Sequence, residues 1–198
     1  MSATHNASQP LASIAQRMAA LEGILVEGGI ADADAIAELE HKAQEEWIPH
    51  NGARLVAKAW TDPVFKQRLL AHGVEAVAEL GFSMPKHHRH LVVLENTPGL
   101  QNVICCTLCS CTAFTLIGIP PDWYKELEYR ARVVRQSRTV LREMGLDLPA
   151  SMDIRVWDTT ADTRYMVLPV QPAHTMGWPE EKLAQIVTRD GLIGVAAF

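Results

Sequence analysis

The chain has 198 residues, 48% of them hydrophobic and 21% charged, enough for one domain of ordinary size with a sizeable core. Its net charge of −5, with no basic stripe, argues against a nucleic-acid or membrane-surface partner, because phosphates demand clustered cations. The polar N-terminus lacks the apolar core of a signal peptide and no run approaches the roughly 18 apolar residues of a membrane span, so a cytoplasmic location is expected.

Met1 to Pro10 is small and polar and is expected to be disordered. Ile14, Met18 and Leu21 then fall on one face of a short helix ending near Gly23. Asp32 or Asp34 can cap a helix carrying Ile36 and Leu39, and Pro49-His50-Asn51-Gly52 is read as its breaker. Leu55, Val56, Ala59 and Trp60 give a third helix its apolar face. Asp62-Pro63 supplies an N-cap and a proline at the first helical position for a fourth, through Leu70. Residues 1–80 are therefore expected to form a helical segment, which either builds core or forms an arm that packs on another subunit.

From Leu91 the hydrophobic period changes. Leu91-Val-Val-Leu94 and Val103-Ile-Cys105 read as short strands joined across the turn Asn96-Thr-Pro-Gly99. Pro120-Pro121 forces an extended entry into a helical stretch, and the arginine-rich run Leu127 to Met144 stops at Gly145, its arginines facing solvent or anions. Ile154 to Trp157 and Arg164 to Leu168 read as strands paired about the turn Asp158–Asp162, Pro179 opens a helix to Val187, and Leu192 to Val195 closes as a strand. The expected class is α+β: a helical arm, then residues 81–198 as a helix-covered, mainly antiparallel sheet of α-β-β-α type.

All four cysteines lie between Cys105 and Cys111. Such clustering in a cytoplasmic chain points to metal or redox chemistry, since a disulfide framework needs separated partners. In Cys106-Thr-Leu-Cys109-Ser-Cys111 a strand ends in a tight loop that folds three sulfurs round one point. No second cysteine pair exists to complete a zinc tetrahedron. The peptide nitrogens of Ser110 and Cys111 can then face a metal, giving a square of two sulfurs and two nitrogens with a third sulfur axial and a sixth position open. Three thiolates and two deprotonated amides suit a trivalent low-spin ion, Fe(III) or Co(III), far better than magnesium or calcium. Such an ion is a Lewis acid able to polarise a bound substrate or acidify bound water. The competing reading is a structural zinc site, in an interaction module, completed by His87, His88 or His90.

The run Cys106–Cys111 resembles the metal claw of the nitrile hydratase α subunit family, which includes the γ subunit of thiocyanate hydrolase. The resemblance extends over Ala53–Pro63, Pro120–Lys125, Tyr129–Arg135, Asp158–Pro169 and Ile186–Ala196, in order, and covers about Ala53 to Ala196. It implies an enzyme that hydrates a small-molecule nitrile to the amide. It further implies a β subunit that closes over the claw with cationic donors, in an αβ or α₂β₂ assembly, and a metallochaperone or activator protein. By the same resemblance Cys106 remains an axial thiolate, Cys109 becomes sulfinate and Cys111 sulfenate. The oxygen on Cys111 serves as nucleophile or base, and Ser110 offers its amide to the metal and its hydroxyl to the active-site network. Metal ligands are thus expected at Cys106, Cys109, Ser110 and Cys111, and catalytic groups at Cys111 and Ser110.

Around the claw, His87, Phe114, Lys125 and Arg164 are expected as supporting residues. Arg164 matches a family arginine of the subunit contacts, its plain alternative being a surface ion pair. Lys125 matches the Pro-Pro-x-Trp-Tyr-Lys block, with a solvated lysine at a helix start as its alternative. Trp123 reads as core and Cys105 as a small buried hydrophobe. His87-His88-Arg89 stands where many members have Gln-Gly-Glu, and Phe114-Thr115 where Trp-Pro is usual, which reshapes the expected pocket. Thr107 is the cobalt-associated choice, whereas Cys111-Thr-Ala-Phe114 resembles iron forms; cobalt is preferred. Thr112-Ala113 departs from the Tyr-Pro continuation of thiocyanate hydrolases, which makes that activity the alternative.

Overall fold

The computed structural model describes residues 13–198, so the expected disorder of Met1–Pro10 lies outside the described residues. The chain divides into two compact units, the first ending at Lys42 and the second being Ala43–Phe198.

In the first unit, α1 (Ile14–Glu27) starts at a capping box: the Ser13 hydroxyl accepts from the Gln16 N–H, and the Gln16 side chain accepts from the Ser13 N–H. This helix continues through Gly23 and ends at Gly28, because one glycine lowers helix propensity by only about 1 kcal/mol. Asp32 caps α2 (Ala33–His41), accepting from the Ala35 N–H at 3.0 Å. Neither helix buries a residue, and Ile14, Met18, Leu21 and Ile24 are exposed.

In the second unit Pro49 opens α3 (Pro49–Thr61) instead of breaking a helix, since at the first turn its missing N–H leaves no bond unmade. The buried face of α3 includes Leu55, Val56 and Ala59. Asp62 caps α4 (Pro63–Ala71) by accepting from the Val64 and Phe65 amides at 3.0 and 2.9 Å. Both α4 and α5 (Gly73–Glu79) pack on β1 (His90–Glu95).

After β1 come β2 (Leu100–Cys105), α6 (Phe114–Ile117), α7 (Asp122–Lys125), α8 (Leu127–Glu143), β3 (Asp153–Asp158) and β4 (Thr163–Leu168). The α+β class holds, but the pairing is parallel, not antiparallel. β1 pairs with β4, His90 opposite Thr163, and β2 pairs with β3, Leu100 opposite Asp153. The turns at residues 96–99 and 158–162 therefore do not make hairpins; the first holds an isolated antiparallel bridge between Thr97 and Leu100, and the Asn102 side chain of β2 donates to the Glu95 carbonyl of β1 at 2.9 Å. The helical segment α6–α8 supplies the long crossover that a parallel pair requires. Burial of β2 from Gln101 through Cys105 accords with a strand covered on both faces.

Pro179 precedes α9 (Glu180–Ile186), which packs on α3. The expected strand at Leu192–Val195 is instead the end of α10 (Arg189–Ile193), capped by the Thr188 hydroxyl on the Gly191 N–H and stopped by Gly194 at φ +92°. A short apolar run does not distinguish a buried strand from a buried helical turn. Among the described residues no helix is long and apolar enough to cross a membrane.

Candidate metal centre

β2 delivers the chain to the site. Its last residue, Cys105, is fully buried, and burial pushes its thiol up to about 12, which keeps it protonated and inert. The chain then turns out of the sheet, and the Sγ atoms of Cys106, Cys109 and Cys111 gather within 4.8 Å of one another. Cys106 and Cys109 sulfurs stand 3.4 Å apart, Cys109 and Cys111 2.9 Å, and none is in a disulfide.

The three thiols are not alike. Burial resists ionisation of Cys106, but hydrogen bonds from the Thr159 hydroxyl, the Cys109 and Cys111 amides and the Cys109 thiol outweigh it and bring the group down to about 7. The Cys109 N–H lies 3.3 Å from the Cys106 sulfur. Cys111 is pushed up to about 11 by burial and by its bond to Cys109, with Arg164 opposing.

Neighbouring elements hold the loop by its backbone. The Tyr129 hydroxyl donates to the Ile104 carbonyl at 2.9 Å, and the Thr159 N–H to that of Cys105 at 3.0 Å. Arg130 Nε donates to the Cys106 carbonyl at 2.9 Å and Nη2 to the Thr107 carbonyl at 2.7 Å. The Tyr124 hydroxyl donates to the Cys111 carbonyl at 3.2 Å, and the Thr159 hydroxyl oxygen stands 3.3 Å from the same carbonyl. At the tip, Leu108 is 87% exposed.

Beside the sulfurs lies an open cavity of about 360 Å³, and among its walls are His87, Ser110, Cys111, Phe114 and Arg164. Four of the expected residues are therefore brought together with the claw: His87, Phe114, Arg164 and Ser110. Lys125 is not. Half exposed, it pairs with Asp122 at 2.7 Å, as a lysine within one helical turn of an aspartate does in solvent. Arg164 is no surface ion pair either; it is 4% exposed and donates to the Thr160 and Thr163 carbonyls. Trp123 packs edge-on against Tyr129 at 4.9 Å, as core.

Among the described residues, His88 Nδ1, Thr112 Oγ1 and Arg164 Nε are buried without hydrogen-bond partners, and all three residues line this cavity. Burial, reinforced by Arg164 and His87, lowers His88 to about 4, so it is neutral at pH 7. Unpaired buried polar atoms cost free energy unless something in the cavity meets them. The donor set of three soft sulfurs fits a thiolate-bound metal, and the unpaired groups round it fit oxygen atoms in the cavity beside that metal. The zinc alternative lacks its fourth ligand: the three-residue group with metal-binding geometry among the described residues is Cys106, Cys109 and Cys111, with no histidine.

Sequence reasoning missed Arg130, Tyr124, Tyr129, Asp158, Thr159 and Thr112. Five of them, all but Thr112, lie within the resembling blocks at Pro120–Lys125, Tyr129–Arg135 and Asp158–Pro169, but their hold on the claw is a contact with its backbone, which those blocks do not spell out.

Fold and sulfur cluster together define an α+β metal-binding protein with a three-thiol loop at the end of a buried strand. A family model described as nitrile hydratase, alpha chain, matches residues 12–196. The chain belongs to that family. It is 46% identical over 183 residues to the cobalt-containing nitrile hydratase subunit alpha of Pseudonocardia thermophila, covering 92% of this chain and 89% of that one. It is 42% identical over 191 residues to the thiocyanate hydrolase subunit gamma of Thiobacillus thioparus, covering 89% and 76% respectively. A solved Fe-type nitrile hydratase from Comamonas testosteroni Ni1, a double mutant with two histidines replaced by alanine, superposes with a TM-score of 0.88 at 62% identity, covering 92% of this chain and 89% of that chain.

Proposed function

We propose that this chain is the metal-carrying α subunit of a cytoplasmic nitrile hydratase, adding water across a carbon–nitrogen triple bond to give the amide. The observation that carries the reading is the convergence of the Cys106, Cys109 and Cys111 sulfurs beside a cavity with unpaired polar groups, in a chain of this family. Cys106, Cys109, Cys111 and the amides of Ser110 and Cys111 would hold a trivalent ion, and the chemistry it would supply there is Lewis acidity toward the nitrile. Cys109 would mature to sulfinate and Cys111 to sulfenate, a four-electron and a two-electron oxidation for which dioxygen or a peroxide from outside the chain is the oxidant and source of the three oxygens. The Cys111 oxygen acts as nucleophile or base at the nitrile carbon, and the two hydrogens of the added water end on the nitrogen. His88 Nδ1, Thr112 Oγ1 and Arg164 Nε offer hydrogen bonds to oxygens within the cavity, while Phe114 and His87 shape its wall.

Thr107 argued for cobalt, but the 62% identity to an Fe-type enzyme against 46% to a cobalt-containing one favours iron. A β subunit supplies cations to the oxidised sulfurs, in αβ or α₂β₂ form, and an activator protein loads the metal. The test is co-expression with the β subunit from the neighbouring reading frame, in iron- or cobalt-supplemented medium, followed by metal analysis, an amide-formation assay on nitriles and peptide mass spectrometry of the loop. The expected result is one trivalent ion per chain, amide product, and three added oxygens on Cys109 and Cys111. Unmodified sulfurs in active, metal-loaded enzyme remove the sulfenate step, and turnover of thiocyanate in place of nitriles selects the relative's chemistry.

A further inference from the structure

The peptide unit joining Cys106 to Thr107 is gripped at both ends by opposite charges. Its carbonyl accepts from Arg130 Nε at 2.9 Å, and its N–H donates to Asp158 Oδ1 at 2.8 Å. Arg130 spends its whole guanidinium on backbone: Nη2 reaches the Thr107 carbonyl at 2.7 Å and Nη1 the Lys125 carbonyl at 3.5 Å. Among the described residues no carboxylate forms an ion pair with it, unlike Arg132 on the same helix, which pairs with Glu128 and Glu143. A planar fork across two successive carbonyls fixes a chain direction in a way that a point charge does not.

Location gives this grip its consequence. Helix α8 is kinked at Gln136, with φ −136° and ψ 39° inside it. Its first half carries Tyr129 and Arg130, which hold the end of β2 and the start of the claw, and its second half carries Arg138, which donates to the carbonyls of Leu148, Pro149 and Met152 ahead of β3. One helix thus secures the end of β2, from which the loop leaves, and the approach to β3, whose last residue Asp158 holds the loop. The loop itself is exposed at Thr107, Leu108 and Cys109, where few packing contacts would otherwise order it.

We infer that Arg130 is a positioning residue for the metal: with Asp158 it locks the Cys106–Thr107 peptide, so that the loop presents its three sulfurs converged before the ion arrives. This rests on the metal-centre reading above. Groups that orient ligands without touching the metal typically set affinity by about 10–100-fold. Preordering raises affinity because less chain must be fixed on binding.

The experiment compares wild type, Arg130→Met, Arg130→Lys and Arg138→Met, each co-expressed with the β subunit and loaded with the metal found in wild type. Metal loss to excess chelator and the visible sulfur-to-metal absorption band are followed, with circular dichroism as the check on folding. Arg130→Met is expected to lose metal at least about tenfold faster than wild type, with a displaced band. Arg130→Lys should fall between, because an ammonium reaches one carbonyl but cannot fork across two. Arg138→Met should lower thermal stability while leaving loss rate and band unchanged. Should Arg130→Met fail to fold, Arg130→Lys decides alone. Wild-type retention and band in Arg130→Lys, or in a folded Arg130→Met, overturn the inference, as does an equal effect in Arg138→Met. A wild type that takes up no metal sinks the metal-centre reading instead.

Discussion

Asp158, the last residue of β3, reaches across to Thr107 at the mouth of the claw, its carboxylate accepting from the Thr107 N–H at 2.8 Å and from the Thr107 hydroxyl. The parallel pairing of β2 with β3 sets Asp158 opposite Cys105, so the contact follows from strand register. Asp158→Ala should therefore cut metal affinity by about 10–100-fold, whereas Thr107→Val, which keeps the amide bond, should cost less. Competition with a chelator measures both, and equal losses would mean that the hydroxyl, not the amide, is the contact that matters.

His88 gives the metal-free chain a marked acid limb. Its side chain is buried and held near 4, against an ordinary value of 6.5 in the unfolded chain. Between those values the unfolded state binds a proton that the folded state refuses, so stability rises with pH there. The contribution is complete above about 6.5 and is lost as pH falls toward 4. Urea denaturation across this range should show a flatter limb for His88→Phe than for wild type.

Gly194 ends α10 at φ +92°, and a Cβ there would stand 2.0 Å from the Asn102 carbonyl oxygen and 3.1 Å from the Val167 side chain. Both the left-handed backbone and the close approach to β2 require glycine. Gly194→Ala should destabilise the chain by more than about 2 kcal/mol. Denaturant midpoints read this directly, and a change under half that size would mean that the C-terminal segment shifts freely.

The apolar stripe of α1 makes no contribution to a core within the described chain, since Ile14, Met18, Leu21 and Ile24 are all at least 48% exposed. If the proposed β subunit covers α1 as an arm, that stripe is what it would bury. Leu21→Glu with Ile24→Glu should leave unfolding of the isolated chain within about 0.5 kcal/mol of wild type and weaken assembly with the β subunit by at least tenfold. Analytical ultracentrifugation of the mixture tests this, and unchanged assembly would free α1 from that role.

Much of this protein was legible locally. Asp32 and Asp62 announce their helices by side-chain geometry within three residues, Pro63 marks a first turn, Gly145 a stop at φ +94°, and the claw cysteines sit close enough in sequence that their convergence needs little more than one tight loop. Pro49 and Leu192–Val195 misled because a proline at a helix start and a short apolar run each serve two structures equally well.

Tertiary structure alone decided the rest. Two short turns suggested hairpins, yet β1 pairs with β4 and β2 with β3, and the α6–α8 crossover brings β3 back beside β2 in parallel, which a turn does not report. The same holds round the metal centre. Cys106, Cys109 and Cys111 are named by the sequence, but Arg130, Tyr124 and Asp158 act on backbone carbonyls and amides, groups that every residue shares. Such bonds leave no mark in the composition of the loop they hold. They exist only once the fold has brought helix, strand and claw together.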